Sequence, residues 1–209
     1  MAATFDFEQQ HYLNGAGWVA GVDEAGRGPL AGPVVAAAVV LPRDYQGGGL
    51  NDSKKLTALA RQRWFTQLTA DSRIAWCVAE ADVQEIDSLN ILRATWLAMR
   101  RAVEGLGLEC STGRLLIDGR PVPGLPCAGE AIVRGDGRSW SIAAASVLAK
   151  VHRDRLMQEA AERYPAYGFE RHKGYGTRAH LLALEQHGPC ELHRRSFAPV
   201  AGMQLALGL

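Results

Sequence analysis

Four acidic residues occur in the same kind of sequence context. Each lies at or just past the end of a short apolar run, beside glycine or another turn-forming residue. They are Asp23, Glu24, Asp118 and Asp136. Carboxylates at strand ends can converge at the edge of a sheet, whereas in mid-strand they would be buried without water. Several carboxylates together repel unless cations neutralise them, and oxygen ligands suit Mg²⁺ or Mn²⁺. Two such ions would activate a water and stabilise the leaving oxygen of a phosphodiester.

The two adjacent acids set a geometric condition. Neighbouring residues of a regular strand point to opposite faces, so Asp23 and Glu24 reach one site only if the strand ends or bulges there. The glycines that follow in the sequence permit such a break. The alternative is four unrelated surface acids, and the local sequence does not decide between the two interpretations.

An arginine between two glycines follows the first pair of acids. Gly26, Arg27 and Gly28 suit a backbone that passes close to a ligand, with exposed N–H groups and a guanidinium for a phosphate. The GxGxxxG spacing, followed by proline and valines, does not fit a dinucleotide-binding turn, and the sequence contains no P-loop motif. A simple tight turn is the alternative.

Two further polar segments are candidates for contacts with a nucleic acid. Residues 51–55 (NDSKK) place short hydrogen-bonding side chains beside two lysines at a predicted helix start, where phosphate is favoured. A helix cap by Ser53 or Asp52 is the simpler local interpretation. Residues 172–177 (HKGYGT) combine a cation, a flexible backbone and an aromatic hydroxyl, which suit stacking on a sugar or hydrogen bonding to a 2′-OH. A plain loop is the alternative there.

The composition is that of an ordinary globular protein. The chain has 209 residues and 22.6 kDa, with 47% hydrophobic residues, 22% charged residues and a mean hydropathy of −0.09. We therefore predict one domain over residues 1–209, with a helical and loop extension from about residue 165. The longest apolar stretch, residues 34–41, is far shorter than the roughly 20 residues that span a bilayer. The N-terminus lacks signal-peptide form, and we expect a cytoplasmic, monomeric protein without membrane contact.

Charge and cysteine usage add two expectations. The net charge is only +1, but residues 134–178 contain nine Lys or Arg against five acids, so one face of the C-terminal half is predicted to be basic. The four cysteines form no CxxC pair and no zinc-ligand spacing with histidine, and we predict that all four are free thiols. They are Cys77, Cys110, Cys127 and Cys190.

Hydrophobic periodicity predicts the elements that position these residues. Apolar runs predict strands, which cover residues 18–22, 34–41, 74–79, 115–117 and 132–133. Three- and four-residue spacing of apolar residues predicts helices, which cover residues 56–68, 84–105, 141–163 and 177–187. This order predicts an α/β protein with a mixed central sheet flanked by helices.

Eight segments together resemble the type 2 ribonuclease H family, of which bacterial ribonuclease HII is a member. They keep the family's order over residues 19 to about 200, and several are long. The segments are GVDEAGRGPLAGPVV at 21–35, LNDSKKL at 50–56, DSLNIL at 87–92, LIDG at 116–119, GD at 135–136, AAASVLAKVHRD at 143–154, HKGY at 172–175 and HRRSF at 193–197. The resemblance implies a ribonuclease H-like fold and endonucleolytic cleavage of RNA strands in RNA/DNA hybrids and of single ribonucleotides in duplex DNA. It also implies 3′-hydroxyl and 5′-phosphate ends.

The resemblance also implies roles for individual residues. The four acids match the family's metal-binding carboxylates, which hold two Mg²⁺ or Mn²⁺ ions during catalysis. Asp154 competes with Asp136 for the fourth place, but it lies well inside a predicted helix, and we prefer Asp136. The glycine–arginine–glycine motif matches the segment that grips the ribonucleotide at its junction with DNA, and Tyr175 matches the residue that senses the 2′-OH and stacks on the next deoxyribose. Contacts to the phosphate backbone are implied for Asn51, Ser53, Lys54 and Ser146.

Two rival functions remain at this point, a catalytically silent nucleic-acid-binding module and another metal nuclease such as a junction resolvase. The intact set of acids disfavours the first, and Tyr175 with the glycine–arginine–glycine motif disfavours the second. Residues 204–207 (QLAL) are faintly similar to peptides that bind sliding clamps but lack the terminal aromatic residue, so a frayed tail is the preferred interpretation.

Overall fold

The computed structural model describes residues 3–207 of the chain, and the side chains of residues 3–203. Its centre is a sheet of five strands in the spatial order β3-β2-β1-β4-β5. The strands are β1 (Trp18–Ala25), β2 (Val34–Val40), β3 (Ala75–Ala81), β4 (Gly113–Asp118) and β5 (Gly129–Ile132). The pairs β1–β2 and β2–β3 are antiparallel, and β1–β4 and β4–β5 are parallel. The predicted mixed sheet is therefore confirmed.

Helices cover both faces of this sheet. They are α1 (Asp6–Leu13), α2 (Ala58–Ala70), α3 (Val83–Leu89), α4 (Ile91–Glu104), α5 (Trp140–Arg163), α6 (Phe169–His172), α7 (Arg178–His187) and α8 (Val200–Leu207). Alternate residues of β2 enter different cores: Val35 and Ala37 pack with α5, and Ala36 and Ala38 pack with α4. Because both faces of β2 are covered, it is a continuous apolar run rather than an alternating one.

The helix predicted over residues 84–105 is interrupted. Asn90 adopts a positive φ of 69°, which ends α3, and its side-chain oxygen accepts hydrogen bonds from the N–H groups of Leu92 and Arg93 at the start of α4. An asparagine caps a helix well, so one residue divides the apolar pattern into two helices. The prediction of one uninterrupted helix is wrong at this point.

The prediction of four free thiols is also wrong. Cys110 and Cys127 form a disulfide with a Cα–Cα distance of 4.8 Å, while Cys77 and Cys190 are free. Cys110 lies in a short 3₁₀ turn before β4, and Cys127 lies just before β5. Parallel pairing of β4 with β5 brings the two segments together, and the 17-residue separation in the sequence gives no sign of it.

The C-terminal segment of the chain packs on the C-terminal half of α5. Met157 and Ala160 of α5 contact a third apolar cluster that contains Phe169, Leu184 and Val200. Residues 204–207 continue α8, but the side chains on which the clamp-peptide similarity depends lie outside the described side chains. Within the described range, no helix combines the length and apolar character needed to cross a membrane.

The contact between α5 and the central strand depends on one glycine. A Cβ atom added to Gly21 would lie 2.0 Å from the backbone carbon of Ser141 and 2.2 Å from the nitrogen of Ile142. The backbone of α5 therefore packs directly on β1, two residues before Asp23.

We expect Gly21→Ala to lower the free energy of unfolding by about 3 kcal/mol or more, because the helix must move away from the strand. The measurement is urea-induced unfolding followed by circular dichroism. Gly48→Ala is the matched control, because no atom lies within 4 Å of a Cβ added there. Equal stability of the two variants would show that the contact is not as close as described.

Candidate active site

Three of the four predicted acids meet at one edge of the sheet. The last β1–β4 pair is Val22 with Ile117, so Asp23 and Asp118 follow at the same ends of two parallel neighbours. Asp136 lies in a 3₁₀ turn, Gly135–Gly137, that follows β5. One carboxylate oxygen from each of these residues lies within 4.8 Å of the other two. We call Asp23, Asp118 and Asp136 the acidic trio.

Backbone N–H groups hold the trio in place. Oδ1 of Asp118 accepts hydrogen bonds from the N–H groups of Gly135 at 2.6 Å and Asp136 at 3.4 Å. Oδ1 of Asp23 accepts a hydrogen bond from the N–H of Glu24 at 2.7 Å. The carboxylate at the end of β4 therefore anchors the turn that carries the third acid.

The electrostatics of the trio are unfavourable without a cation. Asp23 and Asp136 are only 5% and 7% exposed. Burial first, and then the charges of Glu24 and Asp118, raise the pKa of Asp23 well above its ordinary value. The pKa of Asp136 rises to about 6, mainly through burial and then through Asp118 and Asp52. A buried set of oxygen ligands that repel one another fits a divalent cation such as Mg²⁺ or Mn²⁺.

Glu24 is placed differently from the other acids. The condition for Asp23 and Glu24 to share one site is not met, because β1 continues to Ala25 and Glu24 pairs regularly with Ala36 of β2. Glu24 is outside the trio, and its Oε1 accepts a hydrogen bond from Arg27 at 3.2 Å. Burial raises its pKa, and the charge of Asp118 acts on it in the same direction. Glu24 therefore borders the trio without sharing its tight oxygen cluster.

A cleft of about 340 Å³ adjoins Asp23 and Glu24, and we call it the active-site cleft. Most residues that the resemblance assigned to substrate binding line it. They are Gly26, Arg27, Gly28, Ser53, Lys54, Ser146 and Tyr175. Asn51 does not line it, and its side chain instead accepts a hydrogen bond from the N–H of Asp52. The competing acid Asp154 lies outside both the cleft and the trio, where it pairs with Lys150 at 2.7 Å.

Residues 51–55 form a turn and not a helix start. Helix α2 begins only at Ala58, capped by Thr57, so the predicted helix N-terminus at Ser53 is wrong. The hydroxyl of Ser146 donates a hydrogen bond to that of Ser53 at 2.7 Å, and both side chains are buried. Lys54 is 82% exposed and its Nζ lies 3.9 Å from Asp136. The turn therefore presents a cation beside the acidic trio.

Two buried arginines fix the segment that carries Arg27. Arg194 is fully buried and donates to the carbonyl oxygens of Gly26 at 2.5 Å and Arg27 at 2.9 Å, and also to those of residues 32 and 33. Arg153 is 1% exposed and donates to the carbonyl oxygens of Ala31, Pro33 and Lys173. Burial lowers the pKa of Arg194 to about 9. Neither arginine forms an ion pair with a carboxylate within the described part of the chain.

A second network holds the loop of Tyr175. The carbonyl oxygen of Tyr175 accepts a hydrogen bond from Nδ1 of His180 at 2.9 Å, and Nε2 of His180 lies 3.0 Å from Nε2 of His193. Nδ1 of His193 accepts from the N–H of Cys190, so its Nε2 carries the proton that it shares with His180. Burial lowers the pKa of both histidines, that of His193 to about 4. Both rings are therefore neutral near pH 7, and they fix the loop.

Tyr175 itself faces the active-site cleft. Its side chain is 45% exposed, and a Cβ atom added to Gly28 would lie 3.6 Å from its ring. The carbonyl of Gly174 accepts a hydrogen bond from the N–H of Leu30 at 2.8 Å. The structure therefore brings the glycine–arginine–glycine motif and Tyr175 together from positions almost 150 residues apart in the sequence.

The mixed five-stranded sheet with helices on both faces is a ribonuclease H-like fold. The crystal structure of the ribonuclease H2 from Pyrococcus horikoshii OT3 is similar with a TM-score of 0.76 and 24% identity, covering 91% of this chain and 99% of that chain. The structure of the PCNA:RNase HII complex from Archaeoglobus fulgidus is similar with a TM-score of 0.72 and 21% identity, covering 86% of this chain and 95% of that chain. These two similarities support the fold.

Sequence similarity then gives the family. The family model described as Ribonuclease HII matches residues 20–200. Ribonuclease HII 1 of Methylibium petroleiphilum is 60% identical over 181 residues, which cover 87% of this chain and 90% of that protein. The chain belongs to the ribonuclease HII family, and it is an endoribonuclease that acts on RNA/DNA hybrids. This membership contradicts both the silent binding module and the junction resolvase.

The carbonyl contacts of Arg194 generate a prediction. We expect Arg194→Lys to lower the free energy of unfolding by about 3 kcal/mol, because an ammonium lacks the planar fork and leaves buried carbonyl oxygens unpaired. Thermal unfolding measured with and without Mg²⁺ checks this. The control is Arg163→Lys, because Arg163 is 65% exposed and pairs with Glu191 at the surface. A loss of equal size in both variants would contradict the role of Arg194.

Proposed function

We propose that the protein hydrolyses the phosphodiester on the 5′ side of a ribonucleotide, in hybrids and at single ribonucleotides in duplex DNA, leaving a 3′-hydroxyl and a 5′-phosphate. The observation that carries this proposal is the acidic trio, with its oxygens within 4.8 Å of one another, beside a cleft that contains Arg27 and Tyr175. A trio of this kind suits phosphodiester chemistry, and an aromatic hydroxyl beside exposed backbone suits recognition of a 2′-OH.

The acids of the site would hold two divalent cations, Mg²⁺ or Mn²⁺. Asp23, Asp118 and Asp136 offer the closest oxygens, and Glu24 lies at their border. When bound, such cations activate a water and stabilise the leaving oxygen of a phosphodiester. Lys54, beside Asp136, adds a positive charge where the anionic strand must approach the acids.

Arg27 and Tyr175 would select the ribonucleotide. The guanidinium of Arg27 donates to Glu24 and is half-exposed, so a phosphate can reach its open side. Gly26 has a φ of +97°, and a Cβ atom there would lie 2.0 Å from Nε of Arg153, so this position requires glycine. The backbone can therefore approach the sugar closely, and the Tyr175 hydroxyl can distinguish a 2′-OH from a hydrogen.

The remaining expectations about partners and location stay predictions. A clamp contact through residues 204–207 is supported only by their faint motif and by the archaeal complex named above. Its test is binding of the full-length protein and a truncation before residue 204 to an immobilised clamp. The monomeric state and the cytoplasmic location are likewise predictions.

The proposed metal site predicts the behaviour of Asp23→Asn. We expect this variant to lose nearly all cleavage while it keeps folding and duplex binding, because asparagine removes a ligand charge and relieves repulsion. The assay uses three labelled duplexes, namely all-DNA, DNA with one ribonucleotide, and an RNA/DNA hybrid, each with Mg²⁺, Mn²⁺ or a chelator. Asp154→Asn is the control and should cut normally. Cleavage by Asp23→Asn at the unaltered rate, or cutting in the chelator, would overturn the metal assignment.

The position of Tyr175 generates a separate prediction. Tyr175→Ala should chiefly lose cleavage at single ribonucleotides, by about tenfold or more, because both a hydrogen bond and a stacking surface are lost. Tyr175→Phe keeps the ring and separates the two contributions. The measurement is kcat/KM on the single-ribonucleotide duplex relative to the long hybrid. An unchanged ratio in Tyr175→Ala would show that this residue does not select the ribonucleotide.

A further inference from the structure

A second cleft borders the acidic trio on the side of Asp136. Its volume is about 900 Å³, and it meets the active-site cleft at Lys54, which lines both. The residues of interest in it are cationic or apolar, and they come from helix α1, the 51–55 turn and residues 133–138 before α5. They are Phe7, Lys54, Lys55, Val133, Arg134 and Arg138.

The cations of the second cleft are available to a ligand. Lys55, Arg134 and Arg138 are exposed, and within the described side chains none of them forms an ion pair. Some exposed arginines elsewhere are paired, as Arg101 is with Glu85 at 2.7 Å and Arg163 with Glu191 at 2.8 Å, while others, such as Arg93 and Arg120, are scattered singly over the surface. Unpaired cations gathered in one cleft point to an anion as the ligand.

The acids that line the second cleft, Asp6, Asp52 and Asp136, are fewer than its four cations. Asp6 accepts a hydrogen bond from the hydroxyl of Thr4, and Asp52 accepts one from the N–H of Lys54. The third acid, Asp136, belongs to the acidic trio, where a divalent cation would neutralise it. With the metal site loaded, the second cleft therefore has a surplus of positive charge.

One of these cations, Arg138, is held in position by its contacts. The guanidinium of Arg138 lies 5.0 Å from the centre of the Phe7 ring, and the carbonyl oxygen of Arg138 accepts a hydrogen bond from the N–H of Thr4. Arg134 has a φ of 57°, a left-handed conformation that non-glycine residues seldom adopt. Next to it, Val133 is 68% exposed. The turn therefore presents an arginine and an apolar side chain outward beside the third acid.

We infer that the second cleft binds backbone phosphates of the cut strand on the 5′ side of the scissile phosphate. This inference rests on the proposed function, which places the ribonucleotide and the next deoxyribose in the active-site cleft beside Arg27 and Tyr175. A strand whose scissile phosphate lies at the trio must then leave past Asp136, and the second cleft lies there. Lys55, Arg134 and Arg138 contact phosphates without reading bases, as positioning contacts do.

The test uses the double variant Arg134→Ala/Arg138→Ala and three duplexes with one ribonucleotide. One duplex has about one helical turn of DNA, roughly 10 base pairs, on each side of the ribonucleotide. The second has a short 5′ flank on the cut strand, and the third has a short 3′ flank. The matched control is Arg100→Ala, because Arg100 is an exposed arginine of α4, on the other face of the sheet from α5.

We expect the double variant to raise KM about tenfold on the two duplexes with a full 5′ flank, with little change in kcat. On the duplex with a short 5′ flank, the variant and the unaltered protein should have the same KM. The slope of the logarithm of the duplex-binding constant against the logarithm of salt concentration should also become shallower. The change should correspond to about one lost phosphate contact for each arginine. Replacing phosphates in the 5′ flank with uncharged methylphosphonates should weaken duplex binding by the unaltered protein but not by the variant.

Three results would overturn the inference. The first is an unchanged KM of the double variant on every duplex. The second is a rise in KM that depends on the length of the 3′ flank instead of the 5′ flank. The third is a rise in KM of the same size in Arg100→Ala, which would indicate general attraction between the protein's positive charge and the duplex. If the unaltered protein cuts no ribonucleotide-containing duplex, the proposed function fails and the inference fails with it. If it cuts normally and only the flank effect is missing, the inference alone fails.

Discussion

The repulsion between carboxylates at the end of the central strands is the constraint on which the site depends. Parallel pairing of β1 with β4 places Asp23 and Asp118 side by side, and the turn that Asp118 anchors adds Asp136. Burial raises the free energy of each charge, so the sheet must contribute the stability that this arrangement costs. A carboxylate paired with a local arginine would be more stable but less available to a cation. Glu24, which has such a partner in Arg27, illustrates the difference.

The buried positive charges are stabilised differently from the acids of the trio. Arg153 and Arg194 are satisfied by backbone carbonyl oxygens, although the acidic trio belongs to the same part of the molecule. If either guanidinium turned away from these carbonyl oxygens, the 26–33 segment would lose an anchor. Because a guanidinium carries several donors in a fixed plane, one side chain can hold several turns of backbone at once. The buried arginines are thus hydrogen-bonded to carbonyl oxygens, whereas the acids of the trio are hydrogen-bonded to backbone N–H groups.

The sequence predicted the parts of the structure that side-chain type determines. Apolar runs that end in acids predicted the strands and the convergence of Asp23, Asp118 and Asp136, because the ends of parallel strands share an edge. The roles of Arg153 and Arg194 were not predicted, because their partners are carbonyl oxygens, which every residue has. The break at Asn90 and the Cys110–Cys127 disulfide depend on one backbone angle and on strand pairing, and local patterns do not specify either.

Helix α5 connects the stability of the sheet to the shape of the site. Its first turn packs on Gly21 of β1, and Ser146, Lys150 and Arg153 line the active-site cleft from successive turns. Their spacing of four and three residues places them on one face of the helix. A shift of α5 relative to β1 therefore changes the position of Asp23 and of the cleft floor together. The glycine at position 21 is thus a requirement of the site as much as of the core, because only the absence of a side chain permits this approach.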